Sequence, residues 1–118
     1  MKILLVDDSA TMRRIQKQQL NNLGVDQIVE AGNGEEALTQ LANVKGIDHV
    51  LLDWNMPVMD GITLLQNVRK NGEYSAIKII MCTSESEKSK IMDALKAGAN
   101  NYLVKPFTPE ALKEKLGL

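Results

Sequence analysis

Five short apolar runs alternate with longer segments of helical periodicity along the chain, and this alternation restricts the fold more than any other feature. The apolar runs cover 2–7, 27–31, 48–53, 77–82 and 101–104. Segments with apolar residues at helical spacing cover 10–23, 34–43, 61–70, 85–97 and 109–116. Strands that alternate with helices in this way predict an α/β fold, in which helices cover both faces of one doubly wound, five-stranded parallel sheet.

The same periodicity predicts which helical side chains face the core. In the first helix the apolar face consists of Met12, Ile15, Leu20 and Leu23. In the second helix the inward residues are Ala37, Leu38, Leu41 and Ala42. Gly24 is expected to cap the first helix at its C-terminal end, and Pro109 occupies the first position of the last helix.

Composition limits the classes of protein to which the chain can belong. Its 118 residues, 44% of them hydrophobic, are enough for one compact domain over 1–118. A net charge of −1 gives no bulk attraction to nucleic acid or to an anionic membrane. Because there is a single cysteine, Cys82, and neither a membrane-spanning stretch nor a signal peptide is recognisable, we expect a cytoplasmic protein.

Carboxylates follow two of the apolar runs directly. Asp7 and Asp8 close the first run, and Asp53 closes the third. Because the carboxyl ends of parallel strands meet at one edge of the sheet, we expect these three side chains to lie together. Ionised carboxylates beside an apolar core are costly unless they are paired or bind a metal. Oxygen ligands alone favour a hard cation, so the sequence predicts a Mg²⁺ site.

Two further polar residues are expected at the same edge. Thr83 follows the fourth apolar run and Lys105 follows the fifth. A carboxylate can act as a nucleophile toward phosphorus if the charge on the phosphoryl oxygens is neutralised. An ammonium group such as that of Lys105 can do this, and a hydroxyl such as that of Thr83 can donate a hydrogen bond. Asp53 is the preferred nucleophile, because Asp7 and Asp8 are adjacent and can share the metal.

These motifs resemble the receiver domain of two-component response regulators. The matching residues are Asp7 and Asp8, the stretches 52–57 and 59–61, Thr83, and the stretch 105–107, in the family's order and spacing over nearly the whole chain. The resemblance is closest to the single-domain, CheY-like chemotaxis regulators, through 11–15, 53–57 and the Tyr102 that precedes the stretch 105–108. It implies a flavodoxin-like sheet with strand order 2-1-3-4-5 and five helices.

The resemblance also implies a chemistry for each site residue. Asp53 would accept a phosphoryl group from a sensor histidine kinase or a small phosphodonor. Asp8 and Asp53 would ligate Mg²⁺ directly, together with the backbone carbonyl of Asn55, and Asp7 would act largely through water. Lys105 would contact the phosphoryl group, and its bond to Pro106 would be cis.

Signal output is implied in the same way. Thr83 and Tyr102 would be the switch pair, moving when the phosphoryl group is bound. The expected partners are the chemotaxis kinase, the flagellar motor switch protein and a dedicated phosphatase, with the protein itself a monomer that binds neither nucleic acid nor membrane. The predicted partner face consists of Lys88, Ile91, Leu95, Tyr102 and Lys115, and it is reduced by the short final helix.

Other functions use some of the same residues. Among receivers, the alternative is a phosphorelay carrier or an isolated receiver of a larger regulator. A Mg²⁺-dependent phosphatase of the haloacid dehalogenase kind would need a second acid where this chain has Asn55, and an amide cannot transfer protons in that role. A flavodoxin-like cofactor module lacks its phosphate-binding loop here. We therefore expect a protein that catalyses its own phosphorylation and dephosphorylation but is not a turnover enzyme.

Several polar residues are assigned structural roles. Arg13 and Arg14 are interpreted as a solvated face of the first helix. Cys82 and His49 are interpreted as structural, because neither has a partner at catalytic or ligand spacing.

Asn55 and Glu85 are expected to help place the water that hydrolyses the acyl phosphate, which predicts a short-lived phosphorylated form.

Overall fold

The structure is a computed structural model that describes residues 1–54, 56–83, 88–105 and 107–118, and only the backbone of 88 and 89. The strands in this part of the chain are β1 (Lys2–Val6), β2 (Gln27–Ala31), β3 (His49–Asp53), β4 (Lys78–Thr83) and β5 (Asn101–Val104). The helices are α1 (Ala10–Asn22), α2 (Gly34–Asn43), α3 (Gly61–Lys70), α4 (Lys88–Lys96) and α5 (Pro109–Leu116), with a 3-10 helix at Gly72–Tyr74.

All strand pairs are parallel, and the sheet has the order β2-β1-β3-β4-β5. The predicted fold class, strand order and element sequence are therefore confirmed. The register pairs Asp53 on β3 with Cys82 on β4, and Thr83 on β4 with Val104 on β5. Because the strands are parallel and in register, their carboxyl ends lie along one edge of the sheet.

Alternate residues of each strand face opposite layers of helices, as the two-residue period of a strand requires. One layer combines Leu4, Leu52 and Met81 with buried residues of α2, α3 and α4. The other combines Ile3, Leu5, Leu51, Ile80, Cys82 and Leu103 with Leu20 of α1 and with Leu112 and Leu116 of α5. The sheet is thus buried on both faces, which explains why its strands are nearly continuous apolar runs.

Side-chain caps fix where several helices begin. The side chains of Ser9, Asn33, Asp60 and Thr108 each accept a hydrogen bond from a backbone amide in the first turn of α1, α2, α3 and α5. Such caps satisfy amides that have no partner within the helix. Of these helices, α1 begins at Ala10, close to the acids that follow β1, and α3 is the helix that follows β3 in the chain.

Some details differ from the sequence prediction. Ile15, predicted to face the core, is 44% exposed, whereas Gln16 is buried. Ala42, predicted to point inward, is also exposed. The first helix ends one residue earlier than predicted, with Leu23 as the cap and Gly24 following it at a positive φ. Thr83 is the last residue of β4 rather than the residue after it.

Among the residues that the structure describes, no helix is both long and apolar enough to span a membrane.

Candidate functional site

Four strands deliver the polar side chains of the site to the same edge of the sheet. Asp7 follows β1 directly, Asp53 is the last residue of β3, Thr83 is the last residue of β4, and Lys105 follows β5 directly. The sheet order places β1 beside β3. From β1 the chain continues to β2 on one side of this pair, and from β3 it continues to β4 on the other side. Ligands of parallel sheets bind at such a point, beyond the carboxyl ends of the strands.

Three carboxylates form the centre of this edge. Asp7, Asp8 and Asp53 each offer one oxygen, and the three oxygens lie within 4.8 Å of one another. Asp7 and Asp53 are buried, while Asp8 is exposed. Carboxylate oxygens that converge on one point, with one of them open to solvent, are suited to a hard divalent cation. The predicted clustering of the three acids is therefore observed.

Asp7 is held at both carboxylate oxygens and at both backbone polar atoms. Its Oδ1 accepts a hydrogen bond from the Ser9 amide at 2.9 Å. Its Oδ2 accepts one from Lys105 Nζ at 2.7 Å. Its backbone N–H donates to the carbonyl of Ala31 at 3.1 Å, and its backbone carbonyl accepts from Arg13 Nη1. Asp7 is consequently a fixed part of the site, held by side-chain and backbone hydrogen bonds.

Lys105 lies between the two buried acids. Its ammonium nitrogen is 2.7 Å from Asp7 Oδ2 and 3.1 Å from Asp53 Oδ1. Burial alone would lower the pKa of this ammonium group, but the hydrogen bonds and the attraction of both carboxylates outweigh burial and raise it. Lys105 is therefore charged at neutral pH and compensates part of the negative charge of the cluster.

Asp53 is the acid whose environment most opposes its own charge. Burial raises the pKa of its carboxyl above the ordinary value. The attraction of Lys105 offsets part of this effect, while repulsion from Asp7 adds to the rise. Cation binding at this cluster would therefore favour the ionised form of Asp53, which nucleophilic chemistry requires.

The backbone around Asp53 leaves no room for a side chain at the start of α3. A Cβ atom added to Gly61 would lie 2.4 Å from the Asp53 carbonyl oxygen and 2.9 Å from the Trp54 Cα. The Gly61 amide also donates to the Trp54 carbonyl at 2.9 Å. Gly61 is therefore required for the close approach of α3 to the end of β3, a role that the Asp-Gly pair in the sequence signals but does not specify.

Trp54 lies beside the acidic cluster and is half-buried. The Lys90 Nζ on α4 is 5.8 Å from the centre of the indole ring, within the range of a cation–π contact. Because Trp54 directly follows Asp53, its fluorescence is expected to respond when a cation or a phosphoryl group binds there. Trp54 fluorescence is therefore expected to report binding at the site.

The two predicted switch residues lie on neighbouring strands. Thr83 is buried, and its backbone carbonyl accepts a hydrogen bond from the Lys105 amide at 2.7 Å. Tyr102 on β5 is half-buried, and the Lys115 Nζ lies 5.0 Å from the centre of its ring. Their positions fit a connection between the acidic edge and the outer face of β5, but the switching itself stays a prediction.

The predicted partner face is partly described. Ile91 is half-buried and Leu95 is 38% exposed on α4, and Lys115 on α5 is half-buried over Tyr102. The side chain of Lys88 lies outside the described residues. Asn55, Glu85 and Pro106 lie entirely outside the described residues, and so does the predicted cis bond before Pro106.

Arg13 was missed as a site residue. Its Nε donates to Glu30 Oε1 at 3.1 Å, and its Nη1 donates to the backbone carbonyl of Asp7. The interpretation of Arg13 as a solvated residue is therefore wrong, because its side chain is only 19% exposed. Arg14, the next residue, is exposed as predicted. The pairing with Glu30 depends on the distance between α1 and β2, which local sequence does not reveal.

Cys82 and His49 are outside the acidic cluster. Cys82 is buried, and burial raises the pKa of its thiol to about 12. A thiol that stays protonated is unreactive, in agreement with a structural role. The His49 Nδ1 lies 2.7 Å from Asp48 Oδ1, at the opposite edge of the sheet from the acids.

Comparison with known proteins places this site in a recognised context. The family model of the response regulator receiver domain matches residues 3–117. The chain is 51% identical to the chemotaxis protein CheY homolog of Campylobacter jejuni, over 98% of this chain and 89% of that protein. It is 50% identical to the chemotaxis protein CheY1 of Helicobacter pylori, over 98% of this chain and 94% of that protein.

Solved structures give the same result. Chemotaxis protein CheY4 of Vibrio cholerae superposes with a TM-score of 0.90 at 35% identity, over 98% of this chain and 95% of that chain. The structure of a CheX–CheY–BeF3–Mg complex from Borrelia burgdorferi matches with a TM-score of 0.89 at 31% identity, over 98% of this chain and 86% of that chain. The similarity therefore covers nearly the whole chain.

Proposed function

Because the chain belongs to the family of response regulator receiver domains and is of the CheY type, we propose that it is a phosphorylation-activated switch in chemotaxis. Asp53 accepts a phosphoryl group from a sensor histidine kinase in a Mg²⁺-dependent reaction. The observation that carries this proposal is the position of the Asp53 carboxylate, which lies 3.1 Å from Lys105 Nζ and clusters with Asp7 and Asp8.

Asp7, Asp8 and Asp53 would hold the cation, together with the backbone carbonyl of Asn55. Their convergent oxygens are the support for this assignment. When bound, Mg²⁺ would neutralise the negative charge that develops on the phosphoryl oxygens. Asp8 is the exposed member of the cluster, so its carboxylate is the one that a cation from solvent reaches first.

The chemical step belongs to Asp53. One of its carboxylate oxygens forms a bond to the phosphorus of a phosphohistidine or a small phosphodonor. The bond from phosphorus to the donor breaks at the same time, and its electron pair stays on the donor atom. The product is an aspartyl phosphate, which water later hydrolyses to restore the carboxylate.

Lys105 would stabilise the aspartyl phosphate as well as the unphosphorylated carboxylate. Its ammonium group already contacts Oδ1 of Asp53, the residue to which the phosphoryl group is to be added. A short movement would let it bind a phosphoryl oxygen while it keeps its bond to Asp7 Oδ2. The lysine would then supply positive charge on the side of the phosphoryl group away from the metal ligands.

Thr83 and Tyr102 would pass the change to the partner face. The Thr83 hydroxyl would donate a hydrogen bond to a phosphoryl oxygen, and the Tyr102 ring would turn inward behind it. Such a response is a population shift, because the phosphoryl group favours the active state only by as much as it binds that state more tightly. The partner face would be the exposed surface of α4, β5 and α5 that includes Leu95 and Lys115.

The downstream partner is proposed to be the flagellar motor switch, and the phosphodonor a chemotaxis kinase. The names of the Campylobacter and Helicobacter relatives as chemotaxis proteins support this choice. The Borrelia relative was solved with CheX, so a protein of that kind is a further expected partner. The alternatives are a phosphorelay carrier and the receiver of a larger regulator.

A phosphatase with rapid turnover is disfavoured by the residue type at one position. Asn55 stands where a hydrolase of the haloacid dehalogenase kind has its second acid, and an amide does not exchange protons in that role. We therefore propose that the chain stores the phosphoryl group briefly and is not a turnover enzyme.

Phosphorylation by acetyl phosphate tests the proposal. Intact-mass spectrometry should show one added phosphoryl group in the presence of Mg²⁺, and none after chelation or in Asp53→Asn. Phosphorylation that is independent of Mg²⁺ would overturn the metal assignment, and phosphorylation of Asp53→Asn would overturn the acceptor assignment.

Binding measurements separate the downstream functions. The phosphorylated chain should bind a motor-switch peptide more tightly than the unphosphorylated chain does. Transfer of the phosphoryl group to a histidine phosphotransfer domain, without a gain in peptide binding, would instead indicate a relay carrier.

A further inference from the structure

Arg13 contacts two separate parts of the protein close to the acidic cluster. Its Nη1 donates to the backbone carbonyl of Asp7, and its Nε donates to Glu30 Oε1 at 3.1 Å. The Lys17 Nζ lies 4.0 Å from the other oxygen of the same carboxylate, so Glu30 is held from two positions of α1. The guanidinium group of Arg13 therefore connects β2 with the end of β1.

The position of the Asp7 carbonyl fixes the backbone orientation at the start of Asp8. This oxygen belongs to the peptide bond between Asp7 and Asp8, and a peptide bond is planar. Fixing the oxygen therefore fixes the plane from which Asp8 extends. Asp8 is exposed, and one of its carboxylate oxygens lies within 4.8 Å of oxygens of Asp7 and Asp53, so the position of its backbone sets whether the carboxylate reaches that cluster.

We propose that Arg13 is a positioning residue for the divalent cation. By holding the Asp7 carbonyl, it keeps the exposed Asp8 carboxylate aimed at the point where the oxygens of Asp7 and Asp53 converge. Glu30 in turn fixes the orientation of the guanidinium group. This inference rests on the proposed function, because it presupposes that the acidic cluster binds Mg²⁺.

Charge and geometry predict opposite effects of removing Arg13. A guanidinium group near a cation site repels the cation, so its loss would tighten Mg²⁺ binding if charge alone mattered. If Arg13 orients Asp8, its loss weakens binding, as is usual when a group that supports a metal ligand is removed. The direction of the change therefore separates the two explanations.

Lysine should replace arginine poorly at this position. The planar guanidinium group donates to Glu30 and to the Asp7 carbonyl through different nitrogens. An ammonium group is a compact point charge and cannot reproduce this forked geometry. Arg13→Lys thus keeps the charge but loses the connection between the two acceptors.

The experiment is a Mg²⁺ titration followed by Trp54 fluorescence, with folding verified by circular dichroism. In Arg13→Ala the dissociation constant for Mg²⁺ is expected to rise about tenfold. Arg13→Lys should lie between Arg13→Ala and the wild type. The matched control is Arg14→Ala, which removes the same charge from an exposed neighbour and should leave the affinity unchanged or slightly tighter.

Stability measured without Mg²⁺ distinguishes positioning from a purely structural role. A structural residue would lower the urea midpoint in EDTA and leave the Mg²⁺ affinity of the folded protein unchanged. Unchanged or tighter Mg²⁺ binding in folded Arg13→Ala would overturn the inference. If Arg13→Ala does not fold, Arg13→Lys and Glu30→Gln take its place, and wild-type affinity in both would overturn it equally.

The two proposals fail in different ways. If the wild-type chain shows no Mg²⁺ binding, the proposed function is contradicted and this inference falls with it. If the wild type binds Mg²⁺ and the Arg13 variants bind it equally well, only the role of Arg13 is contradicted.

Discussion

Replacing Lys105 with Met removes the ammonium group that lies between two buried carboxylates. Its Nζ is 2.7 Å from Asp7 Oδ2 and 3.1 Å from Asp53 Oδ1. Removing one partner of a buried ion pair costs about 3–5 kcal/mol, because the remaining charge stays buried without compensation. The Lys105 side chain is 15% exposed, so water screens part of the effect. We therefore expect the lower limit, a loss of about 3 kcal/mol in the free energy of unfolding.

The pH dependence of this loss has a definite sign. The pKa of Lys105 is raised in the folded state, so its contribution to stability is complete below its unfolded pKa and disappears as the pH rises through the folded pKa. The full deficit is therefore expected at neutral pH. It should shrink in acid, where protonation of the Asp53 carboxyl, whose pKa is raised by burial, removes part of the uncompensated charge.

Mg²⁺ should restore part of the stability. A ligand at a hundred times its dissociation constant stabilises the folded state by about 2.7 kcal/mol. At one Mg²⁺ concentration the gain should be larger in Lys105→Met than in the wild type, because the cation then replaces the missing positive charge and binds more tightly. Urea unfolding followed by circular dichroism, in EDTA and in excess Mg²⁺, measures both quantities.

A matched control is Lys113→Met, which makes the same substitution at an exposed position of α5. In EDTA the urea midpoint of Lys105→Met should fall by about 1–3 M, given the slopes usual for small domains. A midpoint equal to that of Lys113→Met, or a deficit that is the same in EDTA and Mg²⁺, would refute the assignment of Lys105 as the cation that balances the acids.

Three further outcomes are expected from the geometry of the site and its loop. Asp53→Asn should raise the urea midpoint in EDTA at neutral pH and lose this advantage in acid. The reason is that the pKa of Asp53 is raised in the folded state, so its ionised form destabilises the fold as the pH rises through that pKa. Urea titrations at several pH values would show this change. Gly61→Ala should cost about 3 kcal/mol in thermal or urea unfolding, since its Cβ would lie 2.4 Å from the Asp53 carbonyl oxygen, and wild-type stability would contradict the close approach. Val58 has a φ of 69° and is 72% exposed, so Val58→Asn should stabilise the protein by about 1 kcal/mol, whereas a lower melting temperature would show that the valine is not strained there.

The positions of the strands along the chain and the composition of the acidic edge could be predicted because both depend on local pattern. Apolar runs mark the strands, and Asp7, Asp53, Thr83 and Lys105 lie at or next to their ends. In a parallel sheet this position alone brings the side chains to one edge. The order 2-1-3-4-5 came instead from the family resemblance, since periodicity does not say which strands are neighbours.

What the sequence did not reveal depends on distances between elements. Ile15 and Gln16 are adjacent in α1, and only the packing of that helix decides that the glutamine is buried and the isoleucine is exposed. The Arg13–Glu30 pair joins α1 to β2, so no spacing rule within either element predicts it. The 3-10 helix at Gly72–Tyr74 is too short to produce a periodic pattern.

Asp53 is the residue that we propose carries the phosphoryl group. Borohydride reduces an aspartyl phosphate to homoserine, so peptide mapping after acetyl phosphate treatment and reduction identifies the acceptor directly. We expect homoserine at Asp53, in the presence of Mg²⁺ and not in EDTA, with Asp7 and Asp8 unmodified. Homoserine at Asp8, or its absence from all three positions in the Mg²⁺-treated wild type, would contradict it.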